Sequence, residues 1–84
     1  MYLREREILI IDCEVKEVKE EKFMNVTFLD LEDGKTYIIK SDDIELLGSL
    51  NCKLNKLKVT LELAEVKGNL KLNFTNDIEN LGRV

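Results

Sequence analysis

The chain has 84 residues, of which 44% are hydrophobic and 36% are charged, and its net charge is −4. This length supports one hydrophobic core, and the apolar share is too high for a disordered chain. The acidic balance argues against a protein that wraps duplex DNA by charge alone. We therefore expect a single domain over residues 1–84, with an ordered core of about residues 7–75.

The charge is unevenly distributed along the chain. Residues 23–50 carry two lysines and six acidic residues, whereas residues 51–71 carry five lysines and two glutamates. Near the N-terminus the apolar run Ile8–Ile11 is too short for a signal peptide or a membrane span. Cys13 and Cys52 lack the spacing of a zinc site. These features predict a cytoplasmic protein with reduced thiols and no membrane partner.

A long first strand is predicted over Glu7–Lys19. Its apolar residues alternate with charged residues as far as Val15, as in a half-buried strand. Val18 falls out of phase with Val15, and a one-residue slip would turn every later side chain to the other face. We therefore expect a β-bulge or a sharp bend near Lys16–Glu17.

A charged turn at Lys19–Lys22 is predicted to separate the first two strands. A helix over Val15–Lys22 is the alternative, although its apolar positions are too sparse for a helical stripe. Phe23–Leu31 predicts a central second strand, since both of its faces are partly apolar. One of these faces consists of Met24, Val26 and Phe28. In the Glu32–Lys35 turn, Asp-Gly supplies the positive φ angles of a tight hairpin, and Thr36–Lys40 predicts the third strand.

A short helical segment is predicted after the third strand. Ser41 or Asp42 is suited to a helix N-cap, and the acidic residues suit the positive end of a helix. Gly48 often marks a helix end. Residues Ser41–Leu47 are therefore expected to form one or two helical turns, or an irregular plug.

Two more strands complete the predicted sheet. Apolar and polar residues alternate over Lys56–Val66, which predicts the fourth strand. Gly68–Asn69 predicts a turn, because both residues tolerate positive φ. The alternation resumes over Leu70–Thr75, the predicted fifth strand. Residues 76–84 are expected to form a terminal tail.

Five strands with a short helix between the third and the fourth is the element order of the OB-fold. A long, bent first strand agrees with this fold, in which that strand joins both sheets. We therefore predict a mainly β protein with a five-stranded, OB-like Greek-key barrel. An open five-stranded sheet and an SH3-like barrel are the alternatives. The SH3-like barrel is disfavoured because its helical turn lies between the fourth and fifth strands.

No pattern typical of an enzyme is visible. The chain has no histidine, no glycine-rich phosphate loop and no serine or cysteine paired with a base. The carboxylate pairs Asp30/Glu32 and Asp42/Asp43 could hold Mg²⁺, but acidic residues are common at turns and helix starts. We expect a protein without catalytic activity, metal or cofactor.

Lysines and aromatic residues favour a nucleic-acid-binding surface. Single-stranded nucleic acid is bound by cations that follow the phosphates and by aromatic faces that stack on the bases. Alternating lysines are also typical of any solvated strand face, and the aromatic residues are also suited to a core. The candidate phosphate ligands are Lys35, Lys40, Lys56, Lys58, Lys67 and Lys71. The candidate stacking residues are Phe23 and Tyr37.

Two surfaces for protein partners are the alternative. Acidic residues are concentrated around the predicted hairpin tip and the helix start, where an acidic protein could occupy a basic site on another protein. These residues are Asp30, Glu32, Asp33, Asp42, Asp43 and Glu45. In addition, an exposed strand edge can accept a strand from another chain, which would give a homodimer or a partner complex.

The element order and the hairpin from Leu57–Leu61 through Gly68–Leu72 give the chain a resemblance to a known group. It resembles the small OB-fold single-stranded-DNA-binding proteins of phages and mobile elements over about residues 7–75. This resemblance implies a binding module for single-stranded nucleic acid. No residue matches a diagnostic motif of that group, and its members are usually richer in basic and exposed aromatic residues.

Overall fold

The computed structural model describes residues 1–83 as one five-stranded antiparallel sheet with a short helical segment. The prediction of a mainly β chain with a short helix between the third and fourth strands is confirmed. The strands are β1 (Tyr2–Val18), β2 (Glu21–Asp30), β3 (Thr36–Ser41), β4 (Asn55–Val66) and β5 (Asn69–Arg83). No helix of these residues is long and apolar enough to cross a membrane.

The order of strands across the sheet is β3-β2-β1-β4-β5. β1 lies at its centre because its two halves have different partners. Residues Tyr2–Leu9 pair with β4, whereas Ile8–Val18 pair with β2. The long first strand therefore joins a β2–β3 half to a β4–β5 half.

The bulge in β1 lies at a different position from the predicted one. The β1–β2 register shifts between Ile10 and Asp12, and it is continuous from there to Val18. The prediction at Lys16–Glu17 was wrong because it treated Val15 and Val18 as core residues. Both are exposed, beyond the part of β1 that β4 covers. The helix considered for Val15–Lys22 is also absent, and Lys19 and Glu20 form a tight turn with positive φ angles of 51° and 68°.

The core lies on the inner face of the curved sheet. The predicted face of β2, with Met24, Val26 and Phe28, is fully buried. Phe28 lies at its centre and contacts both edges of the sheet. Its ring centroid is 5.8 Å from that of Tyr37 on β3 and 5.7 Å from that of Phe74 on β5. The other core residues are Ile8, Ile10, Ile39, Leu46, Leu50, Leu57, Val59 and Leu61.

The sheet does not close into a barrel. β3 and β5 approach each other, with Cα atoms within 8 Å, but no ladder joins them in the described sheet. The architecture is therefore the open five-stranded sheet that was considered as an alternative, strongly curved around one core.

The helical segment consists of a 3-10 turn at Ile44–Leu46 followed by one helical turn, α1, at Leu47–Leu50. Gly48 lies inside this turn and does not end it. The backbone N–H of Asp43 donates to Ser41 Oγ at 3.3 Å, which orients the chain before the first turn. Leu46 and Leu50 are buried, so the segment plugs one end of the core.

The segment predicted as a tail is part of β5. This strand continues to Arg83, and Val84 lies outside the described residues. The β4–β5 register shifts between Val59 and Leu61, where β5 bulges. Here Thr60 Oγ1 donates to Asp77 Oδ2 at 2.5 Å, and Thr75 Oγ1 donates to the Thr60 carbonyl at 2.8 Å. Because the bulge interrupts the alternation of apolar residues, the sequence pattern ended the strand too early.

Candidate nucleic-acid interface

An open groove separates the edges of β3 and β5. Since every neighbouring pair in the sheet is antiparallel, these two edges run in the same direction. The groove has a volume of about 350 Å³. Its walls are formed by residues 37–40 of β3 and residues 70–72 of β5. Lys40 and Lys71 thus lie on opposite sides of a gap that is open to solvent.

An aromatic ring adjoins this groove on the outer face of β2. Phe23 lies on the face opposite the buried Met24, and it is half-buried. Lys40 Nζ lies over the Phe23 ring at 4.3 Å from its centroid. Ile38, two residues before Lys40 on the same face, is 69% exposed. We call Phe23, Ile38, Lys40 and Lys71 the seam surface.

The structure separates the other predicted lysines from the seam surface. Lys56 Nζ forms an ion pair with Glu7 Oε1 at 3.3 Å. Lys58 is in register with Glu7 on one side and with Glu79 on the other. Lys35 is exposed at the β2–β3 turn and Lys67 at the β4–β5 turn. The predicted basic strip along the β4–β5 hairpin is therefore interrupted by acidic neighbours.

Tyr37 and Phe23 do not share a face of the sheet. Tyr37 is in register with Phe28, so its ring is directed to the core side. Its hydroxyl donates to Asp33 Oδ2 at 2.5 Å, and Asp33 Oδ1 accepts from the Lys35 N–H at 2.8 Å. The hydrogen bond from Tyr37 lowers the pKa of Asp33, and it raises the pKa of Tyr37. Tyr37 thus fixes the β2–β3 turn.

This pairing predicts a measurable titration. The bond needs a protonated Tyr37 and an ionised Asp33. Its contribution is lost as the pH rises through the raised pKa of Tyr37, and as the pH falls through the lowered pKa of Asp33. In a Tyr2→Phe background, ultraviolet titration is expected to give a Tyr37 pKa above about 10. Asp33→Asn should lower it towards that value, and an unchanged pKa would show that the bond does not form in solution.

Three of the six predicted acidic residues form hydrogen bonds or ion pairs through their side chains within the molecule. Asp30 is buried, and its carboxylate accepts from Arg6 at 2.5 Å and from the Glu32 N–H at 2.8 Å. Arg6 Nε also lies 3.2 Å from Glu32 Oε2. Asp33 accepts from the neutral Tyr37 hydroxyl and keeps its negative charge, so Arg6 is the cation that offsets charge at this turn. The exposed acidic residues that remain are Asp42, Asp43 and Glu45.

The surroundings of the two thiols favour their protonated form. Cys13 and Cys52 are both partly buried against the core. Burial raises the pKa of each thiol, and the charge of Asp12 raises that of Cys13 further. A protonated thiol is a weak nucleophile and a weak metal ligand. Residues 1–83 also contain no cluster of three or more metal-ligating side chains.

Sequence reasoning missed two residues on the outer face that carries Phe23, namely Ile38 on β3 and Lys16 on β1. Ile38 was treated only as a strand residue. Lys16 is directly opposite Phe23 in the β1–β2 ladder, and it was not considered as a ligand. The two-residue turn at Lys19–Glu20 would have fixed this register, had the turn been recognised as tight.

Comparisons with protein-family models, with curated proteins and with solved structures find no match.

Proposed function

We propose that this chain is a non-enzymatic module that binds single-stranded nucleic acid through its seam surface. The observation that carries this proposal is the groove between β3 and β5, with Lys40 and Lys71 on opposite sides and the Phe23 ring beside it. This arrangement offers an aromatic face next to Lys40, with Lys71 across the groove, and single strands are bound by such a combination of aromatic faces and cations.

The topology supports an OB-like interpretation of the sheet. β1 lies between β2 and β4, the helical segment lies between β3 and β4, and the free edges of β3 and β5 face each other. OB-folds are partly open Greek-key barrels that bind oligonucleotides on the face of their second and third strands. The outer face of β2 and β3 is where Phe23, Ile38 and Lys40 lie.

Binding would rearrange Lys40. Its ammonium group now covers the Phe23 ring, and an exposed contact of this kind contributes about 0.5–1 kcal/mol. A base stacked on an aromatic side chain contributes about 1–3 kcal/mol. A base can therefore displace the ammonium from the ring. The freed Lys40 would then be available to a phosphate of the same strand.

The overall acidity of the chain is compatible with this site. Of the acidic residues at the β2–β3 turn, Asp30, Glu32 and Asp33 are held by Arg6 or by Tyr37. Arg6 offsets one of these three negative charges, and Lys40 and Lys71 are the cations that phosphates would meet at the seam surface. Because few lysines are involved, the affinity should be modest and should fall only moderately as the salt concentration rises.

The test is a fluorescence anisotropy titration of a labelled single-stranded oligonucleotide at two salt concentrations. Phe23→Ala is expected to weaken binding roughly 5- to 100-fold, the equivalent of one lost stacking contact. Lys40→Glu and Lys71→Glu should each weaken binding and reduce its salt dependence.

The matched control is Lys53→Glu, which makes the same charge change at an exposed loop position away from the groove. It is expected to have a much smaller effect than Lys71→Glu. Equal losses in these two variants would indicate non-specific attraction. Undetectable binding of the unmodified chain at low salt would refute the proposal.

A further inference from the structure

The second half of β1 has a free edge. In the described sheet β4 pairs with β1 only over Tyr2–Leu9, and the loop N–H of Leu54 donates to the Ile10 carbonyl at 2.7 Å. From Asp12 to Val18, β1 has β2 as its only ladder partner. This stretch contains no glycine, no proline and no bulge, and such an edge is a ready template for another strand.

After the bulge, the backbone N–H and carbonyl groups that point away from β2 are those of the odd-numbered residues. The Ile10 carbonyl points away from β2, and the bulge that follows reverses the alternation. The N–H of Cys13 confirms the reversal, since it binds the side chain of Asp12 at 3.0 Å instead of β2. The N–H and carbonyl groups of Val15 and Glu17 therefore point outward from the sheet.

The side chains along this edge are complementary to the same edge of a second, antiparallel copy of the chain. When two antiparallel copies pair with Val15 opposite Val15, Glu14 of each copy lies opposite Lys16 of the other. Val15 is 44% exposed and would be covered by its symmetry mate. A register centred on Glu14 would place two glutamates opposite each other, and one centred on Lys16 would place two lysines opposite each other. Directly opposed like charges destabilise a strand pair.

We propose that the chain forms a symmetric homodimer through residues 12–18 of β1, in the register centred on Val15. The two copies would exchange backbone hydrogen bonds at Val15, and again between Cys13 and Glu17, with the Asp12 side chain released from Cys13. A two-fold axis through Val15 makes the contact isologous and closed, so the edge is protected against further addition of strands. This interface leaves the groove between β3 and β5 open.

Sedimentation velocity over a concentration series tests the dimer. The unmodified chain is expected to shift from monomer to dimer as its concentration rises. Glu14→Lys replaces two attractive pairs by two repulsive ones and should weaken the dimer about tenfold. Lys16→Glu should do the same. Glu21→Lys, which makes the same charge change on β2, is the control and should leave the dimer unchanged.

Restoration of the charge pattern tests this register, and a mixture of the single variants separates it from the pair that Lys16 Nζ and Glu14 Oε1 form within one copy at 3.9 Å. The double variant Glu14→Lys/Lys16→Glu regenerates both opposite-charge pairs and should recover the dimer. An equimolar mixture of the two single variants should form heterodimers, because one copy then carries two lysines and the other carries two glutamates. Val15→Pro removes an outward N–H without removing a bond to β2, and it should abolish the dimer.

Two results would overturn the proposal. One is a monomer at every accessible concentration. The other is a dimer that withstands the single charge reversals, or that is weakened by them and not recovered in the double variant. Neither result affects the nucleic-acid proposal, which rests on the anisotropy titration.

Discussion

Replacing Phe28 with alanine is expected to lower the free energy of unfolding by about 4 kcal/mol. Phe28 is fully buried on the central part of β2. It is also the side chain that contacts aromatic rings on both sheet edges, Tyr37 on β3 and Phe74 on β5. Its removal leaves a cavity at the point where the two edges are drawn together. Because small domains have a stability of about 5–15 kcal/mol, this loss would be a large part of the total.

Equilibrium unfolding in urea is the measurement for Phe28→Ala. Phe28→Leu keeps most of the volume and should cost much less, so it remains measurable if the alanine variant is largely unfolded. Ile38→Ala is the control, since Ile38 is 69% exposed on β3 and its truncation should change stability by less than about 0.5 kcal/mol. A cost below about 1 kcal/mol for Phe28→Ala would contradict the described core.

Arg6→Ala is expected to cost about 3 kcal/mol, because it leaves the buried carboxylate of Asp30 without its cation. Arg6 Nη2 donates a hydrogen bond of 2.5 Å to Asp30 Oδ2, and the Asp30 side chain is only 5% exposed. The hydrogen bond to Asp30 also raises the pKa of Arg6, so the guanidinium is charged at every accessible pH.

A second substitution separates the buried charge from the packing of Arg6. In the Arg6→Ala background, Asp30→Asn removes the unpaired charge and should recover part of the lost stability. Glu32→Gln should cost less than about 1 kcal/mol, since Glu32 is 48% exposed and is the outer partner of Arg6. The same urea measurement applies. If Glu32→Gln proved as costly as Arg6→Ala, the assignment of Asp30 as the main partner would be wrong.

Local sequence signals were sufficient for the strands around the Asp33–Gly34 turn. The alternation of Met24, Val26 and Phe28 identifies a buried face, and Asp-Gly identifies the hairpin that follows. Both signals depend only on neighbouring residues, and the structure has the β2–β3 ladder that they imply. The same reasoning was correct for β4, where alternating apolar residues line the core.

The failures arose where tertiary partners decide burial. Val15 and Val18 are apolar but exposed, because β4 does not extend to them. In β5 the bulge adds two residues between Phe74 and Ile78, so the apolar alternation is interrupted at Asn76 although Ile78 keeps its phase. A prediction from sequence periodicity cannot detect either feature, because both depend on strands that are distant in the sequence.

The candidate site could be predicted in part. Phe23, Lys40 and Lys71 were identified by residue type, and the structure places Lys40 and Lys71 at one groove, with the Phe23 ring beneath Lys40. Lys56 and Lys58 are not available in the same way, because both lie next to Glu7. This contact arises from the β1–β4 ladder, which the sequence does not reveal. The hydrogen bond from Arg6 to Asp30 likewise could not be predicted, because the two residues are 24 positions apart in the sequence.

The divided pairing of β1 has a consequence for the nascent chain. The strands β1, β2 and β3 are consecutive, so residues 2–41 can form their ladders as soon as they have emerged from the ribosome. Tyr2, in contrast, pairs with Glu62. The first half of β1 therefore cannot pair with β4 until most of the chain has been translated. During that interval the inner faces of Ile8 and Ile10, which belong to the finished core, have no β4 to cover them.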